Sequence, residues 1–453
     1  MNRRSFLTKT GLILGGLGVA DSFQFDLIEK LGRELLPMAN ADTIRPRRTL
    51  EICFRLGVPL IHFGAGSEFA SLTNVRTPNF SYVGNQIQRP AGTSNLLLHT
   101  DSAALAPHAA NIALTQGVAT FDGQHTDLFD YRRGGVAAGS AKITPIVELA
   151  DLNTTGSMIH GVMFPGTDSD PNLRVRNATG GKRDLEKVNT VADFQGLFKQ
   201  PTLRFSKQEV ADVLGAATRL SSRQAAALEQ KLAQASQSAE NQKKAQELFR
   251  TNFVELLNVT NHPVNMVNIT DTPKQARLAK ARGAISVVLN AFKNNLINSA
   301  VVVVELEDWH GYQNIGQSGP YVNDMSRILA ETIKFLKDTD EQGMPGTKLW
   351  DTTTIVAGSE FTRAIDDLNV DNADGTTQGF MMIGKNVKGN YYGQVDLSVT
   401  RNAPSWGINP NTGAPTPGQK NTSEQAYQTI RQAIGLNLTT TEKERVLKPM
   451  LVG

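Results

Sequence analysis

Two short apolar runs separated by a helical pattern constrain the fold of this chain more than any other feature. The runs, 300–304 and 351–357, are rich in Val, Ile and Thr and lack polar alternation. Such runs are typical of strands that are buried on both faces of a parallel sheet. The helical stretch between them, 322–337, supplies the crossover that parallel strands require. The sequence therefore predicts an α/β fold with a mainly parallel sheet flanked by helices.

Polar side chains follow both predicted strands. Asp308 and His310 come after the first run, and Glu360 and Arg363 come after the second. Because the carboxyl ends of parallel strands open onto a common crevice, we expect these side chains to converge. A carboxylate and an imidazole two residues apart suit Zn²⁺ or Mn²⁺. Arg363 is suited to binding an oxyanion through two hydrogen bonds.

A further histidine, His125, lies in a polar loop after a predicted strand at 112–118. A histidine with nearby carboxylates directly after a buried strand is a candidate site residue. Taken alone, His125 is more simply explained as a hydrogen-bonded loop histidine, so both interpretations stay open.

The first 41 residues have the features of a twin-arginine export signal. Arg3 and Arg4 precede Ser-Phe-Leu, the apolar stretch 11–20 is too short to span a bilayer, and Ala39-Asn40-Ala41 offers small residues to a signal peptidase. An amphipathic N-terminal helix is the alternative. Cleavage after Ala41, cleavage after Ala20 and retention all fit the pattern. The sequence predicts export by the twin-arginine machinery to the periplasm or the cell surface.

Charge and composition exclude some classes of partner. Removing residues 1–41 takes away five Lys/Arg and four Asp/Glu, so the formal charge falls from +3 to +2. This balance gives no electrostatic basis for nucleic-acid binding. No later stretch is long and apolar enough to cross a membrane, so we expect partners among proteins of the cell envelope. The single cysteine, Cys53, excludes an internal disulfide and is predicted to be a core residue.

The remaining pattern predicts a single α/β domain over 42–453, with a loop and helical cap inserted at about 165–260. The first part of the insertion, 165–205, is rich in Gly, Asn, Asp and Pro and is predicted to be a surface loop. The second part is predicted to be helical, because Ser206 and Glu209 have capping-box spacing. Its heptads are too few for a coiled coil. Further predictions are strands at 50–63, 143–147 and 158–164, helices at 271–296 and 423–434, and an exposed loop at 405–420.

Several motifs, in this order along the chain, resemble those of an uncharacterised bacterial family exported by the twin-arginine route, which has an alkaline-phosphatase/sulfatase-like fold. They are the twin-arginine start, 115–118 (TQGV), the His125 loop, 308–310 (DWH), 349–351 (LWD), 359–363 (SEFTR) and 387–393 (VKGNYYG).

In the wider superfamily, Asp and His ligands hold one or two divalent metals beside a nucleophile. The resemblance implies that Asp308 and His310 are metal ligands with His125 nearby, and that zinc, manganese or calcium is the metal. It also implies that Glu360 and Arg363 shape an anion pocket, to which Asp374 also belongs.

The chain departs from the family pattern at three places. The turn at 64–66 has no Asp, Asp374 is followed by glycine where the family has an Asp-His pair, and Cys53 does not begin a Cys-x-Pro-x-Arg motif. The metal site is therefore predicted to be degenerate. We expect a non-catalytic binding or assembly role, and the alternative is a metal-dependent hydrolase of phosphate or sulfate esters.

Overall fold

A computed structural model describes fifteen parts of the chain: 47–54, 60, 63–71, 87–119, 144–152, 157, 159–165, 174–176, 182–197, 253–270, 275–304, 315–342, 344–359, 377–398 and 404–452. The predicted signal segment, 1–41, lies outside these residues.

The chain divides into two compact units. One comprises Arg45–Asp193 and Asn258–Gly453, and the other comprises Met1–Ile44 and Phe194–Leu257. Within the described part of the second unit, the Gln195 side-chain amide donates to the Leu257 carbonyl over 3.1 Å. The domain boundaries that the sequence predicts stay predictions.

The described residues form fourteen strands, eight α-helices and four 3₁₀ helices. The strands are β1 (Arg48–Phe54), β2 (Ile87–Gln88), β3 (Leu98–His99), β4 (Ile112–Ala119), β5 (Ile159–Phe164), β6 (Arg174–Arg176), β7 (Lys182–Asp184), β8 (Glu186–Lys187), β9 (Ile297–Val304), β10 (Thr353–Ser359), β11 (Thr377–Gly384), β12 (Asn390–Tyr391), β13 (Gln394–Val395) and β14 (Ser405–Trp406). The α-helices are α1 (Pro145–Leu152), α2 (Val191–Leu197), α3 (Phe253–Leu256), α4 (Gln275–Lys293), α5 (Ile315–Asp338), α6 (Leu349–Thr352), α7 (Ser423–Ala433) and α8 (Thr440–Glu444). The 3₁₀ helices are Ser67–Ser71, Thr100–Asn111, Val264–Met266 and Lys448–Met450.

Eight strands form one central sheet in the order β12-β4-β11-β10-β1-β9-β5-β8. All of its pairings are parallel except those that β11 makes with β10 and β4. The prediction of a mainly parallel sheet flanked by helices is confirmed.

The two apolar runs of the sequence become β9 and β10, which both pair in parallel with β1. They are therefore near neighbours with one strand between them. Every residue of β1 and β10 is buried, which explains the lack of polar alternation. The strands predicted at 112–118 and 158–164 are present as β4 and β5, and the first part of the strand predicted at 50–63 is present as β1, which ends at Phe54.

The outer edge of β4 is covered by the last part of the chain. β12 pairs with its first half, at Ala113 and Leu114. Asn421 continues the cover, because its amide donates to the Gly117 carbonyl and its carbonyl accepts from the Ala119 amide, both over 2.8 Å. Both halves of this strand edge are therefore paired.

Three local predictions differ from the structure. The run at 143–147, predicted as a strand, opens helix α1, because a short apolar run fits either period and Pro145 suits a first helical turn. The predicted surface loop at 165–205 contributes the short strand β8 to the central sheet. The predicted exposed loop at 405–420 begins with β14, where Ser405 is buried, and Ile408 is buried beyond it.

The predicted helices at 271–296, 322–337 and 423–434 correspond to α4, α5 and α7. Thr422 caps α7 with a capping box, in which its hydroxyl accepts from the Gln425 amide. Among the described residues, no helix has the length and apolarity that a membrane crossing needs.

A large apolar cluster joins the sheet to α1 and α7. Its members include Cys53, Met163, Val301, Phe380, Val147 and Ile430. Cys53 is fully buried within it, so the prediction that this residue belongs to the core is confirmed.

Candidate functional site

The strand ends to which the predicted site segments are attached lie along one edge of the central sheet, which we name the carboxyl edge. In the parallel strands, β4 ends there at Ala119, β9 at Val304 and β10 at Ser359. The reversed strand β11 begins there, because Thr377 pairs with Ala119. In parallel α/β sheets, ligands bind beyond this edge.

The six site residues that the sequence predicts all lie outside the described residues. In sequence, His125 follows β4, Asp308 and His310 follow β9, Glu360 and Arg363 follow β10, and Asp374 precedes β11. The structure thus describes the strand ends to which their segments are attached. That these six side chains meet stays a prediction.

A β-bulge interrupts the pairing of β4 and β11 close to the carboxyl edge. Thr115 pairs with Phe380 and Val118 with Gln378, so that two residues of β4, Gln116 and Gly117, lie opposite the single residue Gly379. Bulges of this kind redirect a side chain and are common beside active sites.

Close backbone contacts explain the two glycines of the bulge. A Cβ atom on Gly117 would lie 2.2 Å from the carbonyl oxygen of Trp406. A Cβ atom on Gly379 would lie 3.0 Å from the Thr115 carbonyl oxygen and 3.2 Å from both Gln116 Cγ and Leu60 Cδ1. The bulge is therefore packed from both sides.

The side chain of Gln116 is fully buried at this bulge. Within the part of the chain that the structure describes, neither its Nε2 nor its Oε1 has a hydrogen-bond partner. An amide buried without partners costs roughly 1–3 kcal/mol of stability on mutational scales. The described residues around Gln116 therefore provide no hydrogen bond that offsets the cost of burying its amide.

A second polar group, Glu68, follows β1 at the place where the family pattern has an Asp nearby. Its Oε1 accepts a hydrogen bond from the Val395 amide over 2.9 Å. Burial raises the pKa of Glu68, and this hydrogen bond opposes the rise. Next to it, the Ser67 amide and hydroxyl both donate to Asn95 Oδ1, over 2.8 and 2.5 Å. The Glu68 bond ties the turn after β1 to β13, and the Ser67 bonds tie it to the segment before β3.

Other polar side chains at the carboxyl edge are also buried, among them Ser359, Thr377 and Gln378. Across the described ranges, no group of three or more His, Cys, Asp or Glu residues has the spacing to hold a metal ion. The predicted metal site therefore depends on residues beyond these ranges.

Gln116 is not among the predicted site residues, although it lies in one of the segments that carry the family resemblance. A signal was present: the tripeptide Thr-Gln-Gly occurs at 115–117 and again at 377–379. The two copies lie on neighbouring antiparallel strands, β4 and β11, and meet at the bulge. A glutamine followed by glycine inside an apolar strand marks a place where the backbone departs from regular pairing.

Comparison of the chain with protein-family models and with curated protein sequences finds no match in either set.

Proposed function

We propose that this chain is an exported protein of alkaline-phosphatase/sulfatase-like fold that binds a divalent metal or an oxyanion at the carboxyl edge. Its role is binding or assembly in the periplasm or at the cell surface. One observation carries the proposal: the ends of β4, β9 and β10 and the start of β11 lie at one edge of the sheet. Each metal-capable or anion-capable segment of the sequence is attached to one of these ends.

The proposed fold has a specific strand order. An experimental structure should superpose on solved alkaline phosphatases and sulfatases with the strand order β8-β5-β9-β1-β10-β11-β4-β12, in which only β11 is reversed. A superposition that pairs these strands in a different order would refute it.

Three features of the sequence favour a binding role over catalysis. Metal-dependent ester hydrolysis needs a metal that is held firmly beside a nucleophile. The chain has no Asp in the turn at 64–66 and no His after Asp374, and Cys53 is outside a formylglycine motif.

The metal part is tested by measuring the metal content of the purified full chain. We expect stoichiometric zinc, manganese or calcium in the wild type and none in the double variant Asp308→Asn with His310→Ala, at an unchanged melting temperature. The matched control is Asp340→Asn with His108→Ala, which removes the same groups from an exposed and a half-buried position near the amino ends of β10 and β4 and should keep the metal.

Unaltered metal content in the first double variant would remove Asp308 and His310 from the site. A wild type that purifies without metal would refute metal binding, and titration with inorganic phosphate and sulfate then tests the anion alternative. Export is tested separately, by finding the protein in the periplasmic or surface fraction of cells.

The hydrolase alternative rests on the same observation, that metal-capable and anion-capable segments are attached to one edge of the sheet. Turnover of a chromogenic phosphate or sulfate monoester by the wild type, lost in Asp308→Asn, would establish it. No turnover with bound metal present supports the binding role.

A further inference from the structure

We propose that Lys337 is a modification site, a nucleophilic amine that accepts acyl groups from activated donors such as acyl phosphates and thioesters, and that His108 takes up the proton which this amine releases. The site lies at the amino edge, where the parallel strands of the central sheet begin. Lys337 lies near the end of α5, His108 lies in the 3₁₀ helix before β4, and Trp350 lies in α6 before β10. The site is therefore separate from the carboxyl edge and independent of the proposed function.

The side-chain nitrogen of Lys337 has two close neighbours, and neither carries a negative charge. Its Nζ lies 3.4 Å from His108 Nδ1 and 4.7 Å from the centre of the Trp350 ring. Within the described ranges, Lys337 forms no ion pair with a carboxylate. Lys337 and His108 are both half-buried, so that solvent still reaches them. A carboxylate would hold the ammonium in its charged form, and Lys337 lacks one.

Three other lysines on the surrounding elements are each paired with a carboxylate. In every pair, Nζ lies 2.7 Å from a carboxylate oxygen; the pairs are Lys334 with Asp338, Lys348 with Asp340, and Lys385 with Asp351. A nearby carboxylate favours the protonated ammonium, which is not a nucleophile. Of these four lysines, Lys337 is thus the one whose amine the described residues leave free to lose its proton.

The surroundings also set the protonation of both groups. Burial lowers the pKa of Lys337, whereas the hydrogen bond to Asp338, and then its charge, raise the pKa of Lys334. Burial, and then the charge of Lys337, lower the pKa of His108, so this imidazole is neutral at neutral pH. Because its Nδ1 faces an ammonium, which only donates, Nδ1 is the nitrogen that accepts.

Lys337 and His108 therefore form a nucleophile and a base at contact distance, an arrangement that activates a nucleophile for acyl transfer. The unprotonated Nζ forms a bond to the acyl carbon of the donor, and the bond from that carbon to the leaving oxygen or sulfur breaks. The leaving group departs with the electron pair of that bond. The amine proton passes to His108 Nδ1 and then to water, and the product is an uncharged amide.

The base also selects the class of electrophile. Forming an amide releases a proton, for which His108 Nδ1 is the acceptor. Forming an imine with an aldehyde releases water instead, and the departing hydroxyl needs an acid. The pair therefore favours acyl donors over aldehydes.

The test is acetylation of the folded full chain by acetyl phosphate, followed over time at each lysine by peptide mass spectrometry. Two variants are compared with the wild type. His108→Phe keeps a flat ring at this position and removes the base. The matched control is Asp338→Asn, which removes the carboxylate partner of Lys334 and leaves the contacts of Lys337 in place.

In the wild type at neutral pH, we expect faster acetylation at Lys337 than at the three paired lysines. His108→Phe should slow acetylation of Lys337 about tenfold, because general-base assistance is lost. This slowing should persist up to about pH 10, where much of the lysine is already unprotonated, so a change in the pKa of Lys337 does not explain it. Asp338→Asn should speed acetylation of Lys334 and leave that of Lys337 unchanged.

Two results would overturn this assignment. One is acetylation of Lys337 in the wild type that is no faster than acetylation of Lys334. The other is acetylation of Lys337 in a folded His108→Phe variant at the wild-type rate. The comparison of lysines within the wild type needs no variant, so it tests the assignment even if His108→Phe fails to fold. Neither result bears on metal or anion binding at the carboxyl edge.

Discussion

The two edges of the central sheet differ in how one buried polar side chain at each edge is bonded. At the amino edge, where the parallel strands begin, Arg48 and Glu341 form an ion pair with Nη1 and Oε2 2.5 Å apart and both side chains almost inaccessible. At the carboxyl edge, the amide of Gln116 lacks any partner within the described chain. The Arg48–Glu341 pair is bonded into the fold, and the Gln116 amide is left unbonded by the described residues.

Neighbouring residues add further hydrogen bonds to the amino-edge pair, although Arg48 Nε has no partner within the described residues. Arg48 Nη2 donates to Asn295 Oδ1 over 3.0 Å, and the Thr352 hydroxyl donates to Glu341 Oε2 over 2.8 Å. Arg48 opens β1, Asn295 lies just before β9, and Thr352 lies directly before β10. The cluster therefore ties together the starts of three neighbouring strands.

The largest effect should come from breaking this pair. Arg48→Ala leaves the Glu341 carboxylate buried without its charge partner, and we expect a loss of about 3–5 kcal/mol in the free energy of unfolding, measured by urea denaturation. The matched control is Lys334→Ala, which breaks the exposed pair with Asp338 and should have no measurable effect. Equal losses in the two variants would show that the amino edge is not held by its ion pair.

The second-largest effect should come from acid, which we expect to lower the free energy of unfolding by protonating His262. This histidine is buried with its ring centroid 4.5 Å from that of Phe335, and its Nδ1 accepts from the Val264 amide over 3.3 Å. Burial, and then the charge of Lys293, lower the pKa of His262 to about 4. The unfolded chain protonates it at about pH 6.5, so the stability it contributes is complete above that pH and is lost as the pH falls to about 4.

The corresponding loss is on the order of 3 kcal/mol between pH 7 and pH 4. It is measured by comparing urea denaturation of the wild type and His262→Phe at several pH values in this range. The difference in stability between the two proteins should change with pH, in favour of the variant at acid pH. Parallel pH curves would show that His262 is not the group responsible.

The smallest of the three effects concerns the carboxyl edge. Gly117→Ala places a Cβ atom against the backbone of Trp406, and we expect a loss of about 1–3 kcal/mol because backbone must move. The control is Gly283→Ala within α4, where the nearest atom, Val191 Cγ2, is 3.6 Å away. That change should be neutral or stabilising, since alanine favours a helix. A neutral Gly117→Ala would mean that the bulge relaxes easily and does not fix Gln116.

The sequence predicts the parts of this fold that depend on local pattern. β9 and β10 are evident because residues buried on both faces leave no polar alternation, and α7 is evident because Thr422 or Ser423 can cap it, of which the structure uses Thr422. The insertion of β1 between β9 and β10 and the reversal of β11 depend on pairing between distant segments, which no local pattern encodes. The unpartnered amide of Gln116 is equally hidden, because it is recognised only when the surrounding donors and acceptors are known.

The pairing of β4 also has a consequence for folding during translation. β4 is synthesised early, yet its two sheet neighbours, β11 and β12, and its cover at Asn421 all come from the last part of the chain. During translation, this apolar strand has no native partner until the ribosome has nearly finished, and unpaired strands of this kind readily associate with other chains. Premature termination anywhere before residue 377 would leave β4 permanently unpaired, so a shortened chain should aggregate rather than persist as a smaller folded protein.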